Sequence, residues 1–159
     1  MLPVRLIIGF GFMAHGYAKL SKGVDGFANI LQRIGVPAPG LTAWATALVE
    51  FFGGLAILAG AFVPIVSIPL VIVMLAAMFT VHLPFGFSSV KLIAMTADGA
   101  QFGTIGYEVD LLYIAGLLTL VLGGASPFSV DALLARRKER VETPESSRRV
   151  SEGSAVADG

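Results

Sequence analysis

Residues 41–83 read LTAWATALVEFFGGLAILAGAFVPIVSIPLVIVMLAAMFTVHL and hold one charged side chain, Glu50, and one histidine, His82. A helix needs about 20 mainly apolar residues to cross roughly 30 Å of hydrocarbon, so this stretch is long enough for two spans. They divide as 41–60 and 62–83, with almost no connection between them, which predicts a tight helical hairpin. Working outward, two more apolar stretches run from Pro3 to Leu20 and from Tyr107 to Gly124. The predicted fold class is therefore all-α: an integral membrane, antiparallel four-helix bundle over residues 1–130. A basic short helix and a polar tail, expected to be disordered, follow over 131–159.

The composition agrees. Hydrophobic residues make up 55% of the chain and charged residues 14%, against about 25% charged in an average protein. The mean hydropathy is +0.82. Lysine plus arginine equals aspartate plus glutamate at 11 each, and 12 of these 22 charges fall in residues 131–158. So little polar cover excludes a soluble domain. Disordered chains need low hydrophobicity, disulfide scaffolds need cysteine, and nucleic-acid binders need basic excess, so those classes fall away too. The chain has no cysteine. Thiol chemistry and cysteine-ligated iron–sulfur clusters therefore cannot be carried by it alone.

The connections read as follows. Residues 21–40 form a loop with the breaker string Gly35-Val36-Pro37-Ala38-Pro39-Gly40. Residues 84–106 form a longer loop with a short interfacial helix expected around Ser88–Met95. Ser129 is placed to cap the short helix leading to the basic cluster at 136–140. The first apolar run is long and no small-x-small site follows Leu20, so it reads as a retained span rather than a cleaved signal. Pro64 and Pro69 are expected to bend the third span. Counting basic residues near span ends gives five on the side of the termini (Arg5 and four at 136–140). The other side receives four: Lys19, Lys22, Arg33 and Lys91. The positive-inside rule then puts both termini in the cytoplasm.

Ionisable residues inside membrane helices are costly and mark functional sites by default. In the first helix Arg5, His15 and Lys19 fall within an arc of about 80°, with Phe12 and between Gly9 and Gly16, opposite Leu6, Phe10 and Tyr17. In the second, Glu50 shares a face with Ala43, Ala47, Gly53 and Gly54, opposite Leu41, Trp44, Leu48 and Leu55. Small residues allow close helix approach, so Glu50 is expected in a tight interface, neutralised or paired with a cation. His15, Lys19, Glu50, His82, Glu108 and Asp110 all gather toward one half of the bundle, while Arg5 belongs to the other. Glu108 and Asp110 lie about 200° apart on their helix, so both cannot face the core. His15 and Glu50 are the candidate catalytic residues. Lys19, His82, Glu108 and Phe12 are candidate ligand-binding residues, and no metal site is read. Gly9, Gly16, Gly53 and Gly54 are read as packing residues.

The same residues carry a resemblance. Arg5, Gly9, Phe12, His15-Gly16 and Lys19-Leu20 in helix one, then Glu50 with Gly53-Gly54 and Gly60, resemble the DoxX family of small four-span membrane proteins. His82 with Gly86-Phe87, Gly106-Tyr107-Glu108, Gly123-Gly124 and the Ser129-Val130-Asp131 exit continue the likeness through residue 131. The resemblance implies a prokaryotic plasma membrane, quinone-linked or sulfur-linked oxidoreductase complexes, or protection from oxidative stress. On that basis the expected function is a quinone-linked oxidoreductase subunit or a redox accessory protein, with quinone as cofactor and a redox protein as partner. Haem ligation by His15 and His82 is disfavoured, because their expected heights differ by about 6 Å. Two other classes stay open. One is a non-catalytic scaffold or homo-oligomer in the lipid bilayer. The other is a small-solute or proton transporter, against which the lack of an inverted repeat counts.

Overall fold

The computed structural model describes residues 1–124, 129–134 and 137. The chain forms helix α1 (Leu2–Ser21), a short helix α2 (Val24–Arg33), then α3 (Pro39–Ala59) and α4 (Val63–Ala77). Helix α4 continues through a π turn at Met78–His82 and a 3-10 turn at Leu83–Phe85. Strands β1 (Leu92–Thr96) and β2 (Gly99–Phe102) precede α5 (Glu108–Leu122). A helical turn beginning at Val130 ends the described residues apart from Arg137. The tail expected to be disordered from Val141 onward lies outside them, as does most of the basic cluster at 136–140.

The four long helices pack in a ring, α1 on α3, α3 on α4, α4 on α5 and α5 back on α1. Contacts run antiparallel: Gly9 lies against Leu58 and Gly16 against Phe51, Gly53 meets Leu70, and Ile8 meets Gly116. The core inside the ring is Ile8, Phe12, Ile57, Leu70, Leu117 and Leu120. Outside it, Ile7, Phe10, Trp44, Phe52, Ile65 and Ile72 are all exposed. That much contiguous apolar surface is a membrane surface rather than a wet one. Among the described residues two helices are long and apolar enough to cross a membrane: Pro39–Ala59, with mean hydropathy 1.7, and Val63–Phe85, with 2.4. Helix α1 carries Arg5, His15 and Lys19. Helix α5 has 15 residues.

The α3–α4 turn shows why the connection is so short. Gly60 ends α3 in the left-handed region at φ 66°, and the Ala61 amide donates to the Ala56 carbonyl while Gly60 donates to Ile57. This is a Schellman stop, which a glycine adopts without Cβ strain. Phe62 also has positive φ, at 51°. The Asp131 carboxylate accepts its amide at 2.9 Å and that of Val63 at 3.4 Å, so α4 is capped by a residue 68 positions further on. Asp131 in turn donates its own amide to Gly60. Ser129 Oγ accepts the Ala132 amide at 3.1 Å, the cap read from the sequence.

Three expectations are corrected. Residues 24–33 are helical rather than loop: Val24, Phe27, Ala28 and Leu31 recur at helical spacing and pack on Ala43 of α3. The interfacial helix expected over Ser88–Met95 is absent, and β1 begins at Leu92 instead. Ala97 and Asp98 form a two-residue hairpin loop there, and Gly99, paired with Thr96, follows at φ 117°. Finally, Pro64 sits in the first turn of α4, where no amide bond is lost, and only Pro69 lies inside the helix.

Candidate functional site

Helices α1 and α3 approach backbone to backbone. A Cβ on Gly54 would run into the Met13 backbone nitrogen and stand 2.7 Å from the Gly9 carbonyl; one on Gly16 would strike the Phe51 amide. Gly9 would meet Leu58 and the Gly54 carbonyl at 2.8 and 2.9 Å. Gly53 points the other way, onto the Leu70 side chain of α4. This crossing carries Glu50, whose side chain is 3% exposed, into direct contact with Lys19 Nζ. The Lys19 ammonium also sits 4.8 Å over the Phe27 ring of α2, so α2 helps to hold it. Glu50 thus has the cationic partner that its burial demands.

A second ion pair joins α4 to α5. His82 Nδ1 lies 2.7 Å from Asp110 Oδ2, with Asp110 buried at 3% and the His82 side chain 19% exposed. His82 is the last residue of the π turn, a widened geometry that recurs at functional sites. Where Asp110 is ionised it only accepts, and Nδ1 then carries the proton and donates it to Asp110. In the neutral ring Nε2 is then the acceptor, and it has no partner among the described residues. A histidine oriented in this way takes and releases a proton at one defined nitrogen. Helices α1 and α5 are antiparallel, so Lys19 near the end of α1 and Asp110 near the start of α5 share one end of the ring.

Glu108 plays a different part. Its carboxylate accepts the Ser89 amide at 2.9 Å, and the Tyr107, Gly106 and Glu108 amides donate to the carbonyls of Gly86, Ser88 and Phe87. These bonds pin the base of the hairpin loop next to His82. Gly106 is required there, because a Cβ would press on three carbonyl oxygens, two of them Phe87 and Ser88 at 2.5 and 2.7 Å. Phe12 is fully enclosed in the core and packs edge-on against Tyr113 with centroids 5.0 Å apart. His15 is exposed and faces the Tyr113 ring at 6.3 Å. The structure thus brings Lys19 to Glu50 and His82 to Asp110, puts Glu108 on the Ser89 amide, and sets the His15 and Phe12 rings against Tyr113.

Three residues were not singled out for the site by sequence reasoning. Asp110 is one of two acids that cannot both turn inward; it lies on the face of α5 that carries Tyr113 and the buried Leu117 and Leu120, and Glu108 lies off that face. Tyr113 lies three residues beyond Asp110, one helical turn on, which was the available signal. Its hydroxyl seats against Gly11, where a Cβ would collide with it. Asp131 belonged to the quoted exit motif, and its carboxylate acts on the start of α4. At that opposite end a cavity of about 160 Å³ is lined by Arg5, Gly60, Pro64, Leu120 and Asp131 among others.

Comparison with known proteins completes the picture. The DoxX family model matches residues 1–83, more than half of the chain. The chain is 28% identical over 141 residues to an uncharacterized membrane protein of Mycobacterium tuberculosis, covering 86% of this chain and 82% of that protein. No solved structure matches the chain. With its apolar helices, small-residue crossing and buried ion pairs, this membrane protein belongs to the DoxX family.

Proposed function

We propose that α1 and α5 cross the bilayer with α3 and α4, giving a four-span bundle whose His82–Asp110 pair handles protons for a quinone-linked membrane oxidoreductase. The observation that carries this reading is the oriented imidazole: Nδ1 is committed to a buried carboxylate while the ring edge stays partly exposed at the end of an apolar helix. A quinone bound at that end would supply two-electron redox chemistry from within the lipid phase, with electrons exchanged through a partner protein. The fit rests on the chain's own chemistry. Asp110 holds the imidazole in one orientation and one tautomer. His82 holds or releases a proton at Nε2 close to the membrane surface. The Lys19–Glu50 pair fixes the neighbouring helices and keeps a compensated charge at the same end of the bundle. His15, exposed beside Tyr113, is a second proton carrier on the outer surface of that end. In this reading both termini face the cytoplasm, which Arg5 and the basic cluster at 136–140 support through the positive-inside rule.

The protein in lipid nanodiscs, titrated with a short-chain quinone, tests this. Wild type binds saturably, and His82→Asn weakens binding roughly tenfold, about 1.4 kcal/mol. An affinity unchanged in His82→Asn, at unchanged melting temperature, contradicts the reading. One observation favours a second reading, a non-catalytic scaffold: each ion pair joins two helices and both carboxylates are buried, as internal glue would be. In that case wild type binds no quinone, and both pairs matter only for stability and complex assembly.

A further inference from the structure

The hairpin between α4 and α5 packs on neither of them beyond its pinned base, and its apolar side chains are uncovered. Its register explains their arrangement. Leu92 pairs with Phe102, Ala94 with Gln101, Met95 with Ala100 and Thr96 with Gly99, leaving Ile93 as the extra residue of a bulge. Successive pairs alternate between the two faces of a sheet. Regular alternation would put Leu92 on the face of Ala94 and Thr96. The bulge shifts it by one position, so that Leu92, Met95, Ala100 and Phe102 share one face while Ala94, Thr96, Gly99 and Gln101 share the other. Ile93 lays its side chain against Gly103. One inserted residue therefore converts a mixed ribbon into an amphipathic one.

We infer that this hairpin lies flat on the bilayer surface, with its Leu92–Met95–Phe102 face turned into the lipid and its Thr96–Gln101 face turned to water. Leu92, Met95 and Phe102 are 58%, 72% and 62% exposed, so the apolar face is open to whatever covers it. Lipid is the occupant because this face continues an established lipid surface. The exposed Phe79 and Leu83 of the α4 extension lead directly to exposed Phe85 and Phe87, then to the hairpin. Lys91 at the hairpin base lies 6.0 Å over the Phe85 ring, the pairing of a long cationic stem with an aromatic ring that suits the head-group level. Depth is set by the backbone. Both outer strand edges are unpaired among the described residues. Hydrocarbon cannot satisfy those groups, so the hairpin stays at the interface, where water reaches its edges. The base is anchored by Glu108 and Gly106 next to His82, so the ribbon roofs the membrane edge beside the ion pair.

The absence of cysteine makes the test clean, since each introduced thiol is the sole labelling site. Full-length Met95→Cys and Gln101→Cys variants carry a bimane label in phosphatidylcholine vesicles, with and without brominated lipid. The expected result is several-fold stronger quenching by brominated lipid at Met95→Cys than at Gln101→Cys, with the reverse order for aqueous iodide. Ala100→Cys, a small replacement on the same face as Met95, repeats the comparison if the first variant folds poorly. Equal quenching on both faces overturns the proposal. So does protection of Met95→Cys from both quenchers, which would mean that protein covers that face.

Discussion

The α1–α3 pair and the α4–α5 pair are each joined by one buried carboxylate and one cationic or titratable side chain, yet they are built from different materials. At α1–α3 the backbones nearly touch through Gly9, Gly16 and Gly54, and the ion pair is Lys19–Glu50, an ammonium on a carboxylate. At α4–α5 a proline lies inside α4, the helix runs on into a π turn, and the partner of the carboxylate is an imidazole. Glycine contacts leave no side chain free to adjust, so the first pair is a rigid hinge-pin. The second is joined through side chains rather than backbone. The difference separates a crossing locked by backbone contact from one joined by a side-chain hydrogen bond, the one to which the proposed function assigns proton handling.

Breaking the rigid side should cost most. Gly54→Leu would force a side chain into the Met13 backbone, and the two helices would have to separate. Overpacking of this kind costs about 1–3 kcal/mol where side chains can yield and more where backbone is struck. The expected outcome is loss of a monodisperse, cooperatively melting protein in detergent, read by size exclusion and thermal unfolding. Lys19→Met comes next: Glu50 would remain buried without its partner, a loss of roughly 3–5 kcal/mol for a fully buried pair. Lys19→Met combined with Glu50→Leu should recover much of that loss, and a double variant as unstable as the single one would contradict the account.

The α4–α5 side should respond differently. Asp110→Asn presents an amide that donates to Nδ1, so the imidazole proton moves to Nε2 and the ring changes tautomer. Stability should fall by only about 1–2 kcal/mol, the scale of one charge-assisted hydrogen bond, while quinone binding falls further. The smallest effect is expected at the far end. Asp131→Ala removes the cap on Phe62 and Val63 and should lower stability by about 1 kcal/mol without touching the ion pairs, measured by the melting temperature.

The same contrast governs what could be read from residues alone. The apolar stretches and the small-residue face around Glu50 were legible, because helix periodicity and scarcity of charge are local signals. Burial implied that Glu50 is neutralised or paired with a cation, and the structure supplies Lys19. The misplacement of His15 is a matter of angle: it lies about 80° around the helix from Arg5, at the rim of the buried arc rather than its centre. Helix α2 was hidden by Gly23, Gly26 and its polar residues, which make a short stripe of four apolar positions easy to overlook. The hairpin was hidden because its bulge breaks the alternation by which a strand is recognised. Asp110 is chosen over Glu108 by which face of α5 is buried, the one with Leu117 and Leu120, and that helix is apolar on every side, so its sequence does not announce the face.

The most direct test sets the two pairs against each other in a single measurement. Short-chain quinone affinity is determined in nanodiscs for wild type, Lys19→Met and Asp110→Asn, each beside its melting temperature. The account predicts that Lys19→Met loses more stability and Asp110→Asn loses more quinone affinity. Affinity losses that simply follow the stability losses, or a wild type that binds no quinone, would contradict it.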